Sequence, residues 1–178
     1  MLSVYSKLAQ AKLEFVRVLN LRNVCEVPKI KQIVVSSGLN SLRPDASAVA
    51  KIVIKDVSMI TGLKPMIAMA RTSVAGFKIR KGQAVGLKVN LRGQHMYQFL
   101  DRLVNVALPR IREFKGLKLS SFDDHNNLSF GIMDYSVFPE IAYSSLNKTL
   151  GLNITICIKA CHRLHAIMML EVAGFPLC

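Results

Sequence analysis

Between residues 85 and 92 the chain alternates strictly in polarity, and few local patterns restrict a fold more. Val85, Leu87, Val89 and Leu91 take turns with Gly86, Lys88, Asn90 and Arg92. Successive side chains of a strand point to opposite faces, so this period of two sends the aliphatic set one way and the polar set the other. A sheet built on such a strand has one apolar face, to be covered by helices, and one face that carries Lys88, Asn90 and Arg92. The pattern recurs at 152–159, where Leu152, Ile154, Ile156 and Ile158 alternate with Asn153, Thr155, Cys157 and Lys159.

Helical spacing and turn residues fill the intervals. A first helix is expected from Val4 to about Leu21, with Val4, Leu8, Phe15 and Leu19 close to one face. Lys29 to Ser37 reads as a strand centred on the β-branched Ile33, Val34 and Val35. Pro44-Asp45 starts a second helix with Asp45 as its N-cap, a stripe of Val49, Val53, Val57 and Ile60, and Gly62 as its C-cap glycine. Pro65 to Thr72 reads as a second strand, and Met96, Phe99, Leu100, Leu103, Val104 and Ala107 predict a helix up to Pro109. Asn126-Asn127 turns a hairpin into Leu128, Phe130 and Ile132, and His162 to Ala173 forms a closing helix stopped by Gly174. The expected fold class is α+β: an open, mostly antiparallel sheet with helices packed on one face and a basic opposite face. At 178 residues and 51% hydrophobic content, a single domain over 1–178 is the expectation.

Charge is distributed unevenly. The chain carries 24 Lys plus Arg against 11 Asp plus Glu, a net +13, with a pI near 9.9. Residues 27–100 hold twelve of the basic side chains and only Asp45 and Asp56, whereas 1–26 and 101–178 are nearly balanced. No acidic residue occurs between Asp56 and Asp101. Solvated surfaces normally mix their signs, so a long one-sign segment points to a polyanion. Lys88 and Arg92 flank the Asn90 amide on one strand face, which suits the reading of an RNA surface by phosphate pairing and hydrogen bonding. Ser73 to Gly82, with Phe77 and three basic residues, is either a long hairpin connection or an RNA-probing loop. Composition leaves both open.

Other function classes find less support. No run reaches the roughly 18 apolar residues of a membrane span. A membrane-surface module would place its charge opposite a bulky helical face. Lys7, Lys12 and Arg17 fit that only in part, because most of the charge lies in the middle segment. The opening Met1 to Lys7 lacks the apolar core of a secretory signal, though its scarcity of acid resembles an organelle-targeting helix. Cys25, Cys157, Cys161 and Cys178 contain no C-x-x-C and read as reduced thiols. Cys157 and Cys161 with His162 and His165 match no standard zinc spacing, and Asp123-Asp124-His125 precedes a turn. No phosphate-loop or nucleophile-elbow motif is present, so neither an enzyme nor a metal or cofactor is expected. The eight methionines read as adaptable core filling.

The middle of the chain carries a resemblance. Gly62 to Pro65, Ala70 to Gly82 and Lys88 to Gly93 closely resemble the large-subunit ribosomal protein L5 family. The likeness continues through Leu108 to Arg112, Phe114 to Leu117, Ser121 to Asp123, Phe138 to Ile141 and Gly151 to Thr155, covering essentially the whole chain. It implies a ribosome constituent in the central protuberance that binds 5S rRNA, or a substitute rRNA segment, through the open sheet. Partners implied are large-subunit rRNA, neighbouring central-protuberance proteins, and peptidyl-site tRNA met by a mobile loop at about 73–82. A small-subunit head protein would meet the region around Val137 to Leu150.

The candidate rRNA-binding set is Lys29, Lys31, Ser36, Leu63, Lys64, Arg71, Lys88, Asn90 and Arg92. The candidate tRNA-contacting loop is Ser73, Val74, Ala75, Gly76, Phe77, Lys78, Ile79, Arg80 and Lys81. Three positions depart from the bacterial family pattern: Ser36 stands for Asn, Leu63 for Gln and Asn90 for Thr. The resemblance makes those positions RNA-hydrogen-bonding ones, and Leu63 can neither donate nor accept. The expected setting is a divergent mitochondrial ribosome, with a bacterial cytoplasmic one as the alternative. The rival function is a stand-alone basic RNA-binding or membrane-surface module.

Overall fold

The computed structural model of the chain describes residues 3–21, 23–39, 46–77, 79–141 and 151–178. In chain order its elements are α1 (Val4–Val18), β1 (Lys29–Gly38), α2 (Ala46–Thr61), β2 (Met66–Met69), β3 (Ala84–Leu91) and α3 (Gly93–Arg102). They continue with α4 (Leu108–Arg110), β4 (Leu128–Ile132), β5 (Leu152–Lys159) and α5 (Arg163–Ala173). The strands form one open, antiparallel sheet in the order β2-β3-β1-β5-β4, giving the expected α+β class. No described helix is long and apolar enough to cross a membrane.

Alternation in the sequence becomes alternation in burial. In β3, Leu87, Val89 and Leu91 are buried while Lys88 and Asn90 are exposed. In β5, Leu152, Ile154, Ile156 and Ile158 are buried and the residues between them are not. The two turn glycines also behave as read. Gly62 and Gly174 take positive φ of 72° and 94°, where a side chain would be strained, and their N–H groups bond the Ser58 and Glu171 carbonyls.

By contact density the chain divides into two compact units, residues 1–33, 92–130 and 155–178, and residues 34–91 and 131–154. In the first, α1 packs on α3 and α5 around buried Phe15, Phe99, Leu100, Ala166 and Leu170. Ser3 caps α1 through its Oγ, which accepts from the Ser6 N–H at 3.2 Å. The Asp101 carboxylate of α3 accepts from the Val4 N–H at 2.6 Å, satisfying a second helix-end donor. In the second unit α2 packs on β3 with Val53, Val57 and Ile60 buried. There the Tyr135 hydroxyl donates to the buried Asp56 carboxylate at 3.0 Å. Burial first, and the adjacent carboxylate second, push the Tyr135 phenol well above its ordinary value of 10.

Several boundaries differ from expectation. α1 stops at Val18, and Ala11 rather than Leu8 joins Val4 and Phe15 in the core. β2 is only four residues long, and its pairing with β3 shifts register between Ala68 and Met69. The third helix does not end before Pro109 but runs on through a π turn at Leu103–Ala107 into α4. Proline lacks the N–H that would bond the Asn105 carbonyl, and its ring crowds that carbonyl. A widened turn before it accommodates both. The methionines are mostly not core filling: Met96 and Met169 are buried, whereas Met66, Met69 and Met133 are 75%, 64% and 93% exposed. Asp45, expected as the second helix's cap, and the side chain of Val49 lie outside the described residues.

Candidate nucleic-acid interface

The second unit holds Lys88 and Asn90. They face outward because Leu87, Val89 and Leu91 occupy the core on the other side of β3. β2 pairs antiparallel with Met66 opposite Lys88 and Ala68 opposite Gly86, so an exposed thioether flanks the Lys88 cation. A Cβ on Gly86 would come within 3.1 Å of the Ser37 carbonyl oxygen, so glycine permits the close approach of backbone there. Ser36 is half-buried on the outward parity of β1, while its neighbour Ser37 is buried and donates to the Gly151 carbonyl at 2.8 Å. Leu63 is half-buried, with its N–H on the Thr61 hydroxyl at 3.4 Å. Lys64 and Arg71 are exposed.

The first unit holds Lys29, Lys31 and Arg92, all exposed. Arg92 follows β3 directly, in extended conformation at the start of α3. Its Nε and Nη2 both donate to the Gln32 Oε1, at 3.1 and 2.7 Å, and the Gln32 amide nitrogen reaches the Cys157 Sγ at 3.8 Å. Two of the five guanidinium donors are thereby engaged, which fixes the plane of the group for a further anion. Ser129 of β4 donates to Thr155 of β5 at 3.1 Å, and Lys159 ends β5 exposed. Gln32, Ser129, Thr155 and Lys159 share the outward parity of their strands but escape the sequence-level site. Strand parity could have found them, and strand neighbourhood could not. The outward residues of β1, β3, β4 and β5 include no carboxylate.

The 73–82 segment is a pinned tip. Val74 and Ile79 exchange backbone hydrogen bonds of 3.0 and 3.2 Å around a 3-10 turn at Ala75–Phe77. The Lys81 N–H bonds the Ser73 Oγ at 2.9 Å and the Arg80 N–H bonds the Gln83 Oε1 at 3.1 Å. Ser73 to Phe77, Arg80 and Lys81 are exposed, Phe77 by 71%, and Ile79 is half-buried. Lys78 lies outside the described residues, as do residues 142–150 of the region around Val137 to Leu150. Of that region, Phe138 and Ile141 are buried behind the 3-10 turn Tyr135–Val137.

The sequence's acid–base suspects serve structure. The Asp123 carboxylate accepts from the His125 N–H at 3.0 Å and from the Asn127 N–H and side-chain amide at 2.7 and 2.8 Å. Desolvation is the largest single influence and pushes Asp123 up, but these donors together outweigh it and hold the carboxyl below its ordinary value. His162 occupies the N-cap position of α5, and its ring meets that of His165 edge-on at 5.3 Å. Among the described residues, no three His, Cys, Asp or Glu side chains converge as a metal site would require.

Two family models match the chain. One, described as ribosomal protein L5, covers residues 23–80, and the other, described as the C-terminus of that ribosomal protein family, covers 84–177. Among individual relatives, the large ribosomal subunit protein uL5 of Anaplasma phagocytophilum is 43% identical over 176 residues, 99% of this chain and 98% of that protein. The protein of the same name from Pelagibacter ubique is 42% identical, covering 97% of this chain and 92% of its own length. That of Geotalea uraniireducens is 45% identical over 88% of this chain and 87% of its own length.

Proposed function

This chain belongs to the ribosomal protein L5 family, and on that premise we propose that the outward faces of its strands hold 5S rRNA, or the rRNA segment that replaces it, in the central protuberance. The chain is a structural, non-enzymatic constituent of the large ribosomal subunit and binds rRNA. The observation that carries the assignment to these strands is charge: Lys29, Lys31, Lys88, Arg92 and Lys159 stand among outward strand residues that include no carboxylate. Lys64 and Arg71, exposed on either side of β2, extend the same chemistry, while Ser36, Leu63 and Asn90 set which bases or sugars are tolerated. Lys88→Ala with Arg92→Ala tests the assignment. Loss of rRNA retention through a sucrose gradient at moderate salt supports it, and unchanged retention contradicts it.

The tip at 73–82 is the tRNA-contacting element in this reading. Its exposed Phe77, Arg80 and Lys81 offer a stacking ring and two phosphate partners, and its side chains contribute little to either core. The region around Val137 to Leu150 is the bridge to the small-subunit head. The ribosome is read as mitochondrial on the departures at Ser36, Leu63 and Asn90. The relatives described above are bacterial, and a bacterial cytoplasmic ribosome is the alternative. Immunodetection in purified mitochondria, with large-subunit sedimentation, supports the mitochondrial reading. Recovery from a bacterial cytoplasm overturns it.

A further inference from the structure

The first unit contains a cavity of about 520 Å³. Buried Phe15, Ile30 and Met169 form its floor, and Tyr5 and Tyr97 form one wall. The two rings meet edge-on at 5.1 Å, with Tyr5 58% exposed and Tyr97 half-buried. Lys12, Lys29 and Lys159, all exposed, stand at the rim, one each from α1, β1 and β5. No acidic side chain lines it among the described residues; Glu26, next to Cys25 in sequence, is outside the lining. The size lies in the range of small-ligand sites, and an apolar floor beneath polar anchors is their usual construction.

This composition selects its occupant. Three ammonium groups around a lining without a carboxylate, among the described residues, favour an anion, which argues against a purely aliphatic ligand. Two aromatic rings above an apolar floor favour a flat, weakly polar body, which argues against bare phosphate. A nucleotide has both parts, and its base must be unstacked from its neighbours to enter. We propose that this cavity receives one extruded nucleotide of single-stranded RNA, its base against Tyr5 and Tyr97 and its phosphates among Lys12, Lys29 and Lys159. The inference goes beyond the strand-face reading and shares only Lys29 and Lys159 with it. RNA lying along β1 and β5 meets the rim where those two lysines stand.

Cys25 lines the cavity with an exposed thiol, whereas the exposed Cys178 does not line it, so one chain supplies both probe and control. The rate of N-ethylmaleimide alkylation at each thiol is followed by peptide mass spectrometry. Probes are a ten-nucleotide mixed-sequence single-stranded RNA, adenosine 5′-monophosphate, inorganic phosphate and a polyglutamate peptide. The RNA is expected to slow Cys25 alkylation at least about fivefold at saturation and to leave Cys178 unchanged. Tyr5→Ala, at an exposed position, should raise the RNA concentration needed by roughly five- to a hundredfold, the range of a lost base–aromatic contact, and Lys12→Ala should raise it too and make the log–log salt dependence shallower by roughly 0.7. Protection at lower nucleotide concentration by RNA than by the monophosphate supports an RNA residue. Protection by the monophosphate alone makes it a free-nucleotide site and overturns the proposal. So does equal protection by phosphate or polyglutamate, or no protection at all. Lys88→Ala with Arg92→Ala separates the two readings: it is expected to weaken rRNA retention while Cys25 remains protected by the ten-nucleotide RNA.

Discussion

The outward side of β3 and the tip at 73–82 lie in one unit and carry the same sign of charge, yet they are supported in opposite ways. Lys88 and Asn90 alternate with Leu87 and Val89, so each polar side chain is held in place by a buried neighbour. At the tip, Ser73 to Phe77 are exposed in succession, and only backbone and side-chain hydrogen bonds hold the turn. A surface with apolar backing suits a permanent ligand, because its geometry is fixed before binding. A pinned but unbacked tip suits a ligand that comes and goes, and its side chains can change without cost to the fold.

The largest effect expected from this difference is on folding. Val89→Asp buries a carboxylate at a 4% exposed position and should cost about 3 kcal/mol or more, whereas Phe77→Asp at the tip should stay within about 0.5 kcal/mol. Urea unfolding of both variants measures it, and similar losses at the two positions would erase the distinction. Next comes RNA affinity. Lys88→Ala with Arg92→Ala should weaken rRNA binding at least about tenfold and make the log–log salt dependence shallower by roughly two, read by filter binding across a salt series.

The backing of β3 gives a smaller effect. Tyr135→Phe removes the donor to buried Asp56 and should cost about 1–2 kcal/mol in thermal unfolding. The Tyr135 phenol is raised in the folded chain, so its contribution is complete below its ordinary value of 10 and declines above it. The wild type should therefore lose stability above about pH 10, and the Phe variant should lose less over that window. The smallest stability effect belongs to Arg80→Ala with Lys81→Ala. These changes should shift unfolding by under about 0.5 kcal/mol and leave the protein on the subunit, while reducing tRNA crosslinking. Release from the subunit would make the tip an anchor.

How much of this was legible in the sequence depends on the range of the interaction responsible. The alternation at 85–92 and 152–159, the cap glycines Gly62 and Gly174, and the turn at Asn126 are local, and the chain folds there as read. Strand neighbourhood is not local. Arg92 is tethered by Gln32, 60 residues away, so its fixed guanidinium could not be foreseen from its own strand. The π turn before Pro109 was missed because the apolar spacing from Met96 to Ala107 is the same for a helix that stops and one that widens and continues. The exposed Met66 and Met69 were misjudged because hydropathy does not reveal that β2 ends the sheet order. The candidate RNA residues were nominated by charge and resemblance. Lys159 and Thr155 were overlooked because their segment is nearly neutral overall.

The most direct test of the central claim is a photoreactive benzophenone side chain introduced separately at positions 90 and 77, followed by irradiation of intact translating ribosomes. Position 90 should capture rRNA and position 77 should capture tRNA. Capture of tRNA or protein alone at position 90, with rRNA at position 77, would contradict the assignment of the strand face to rRNA.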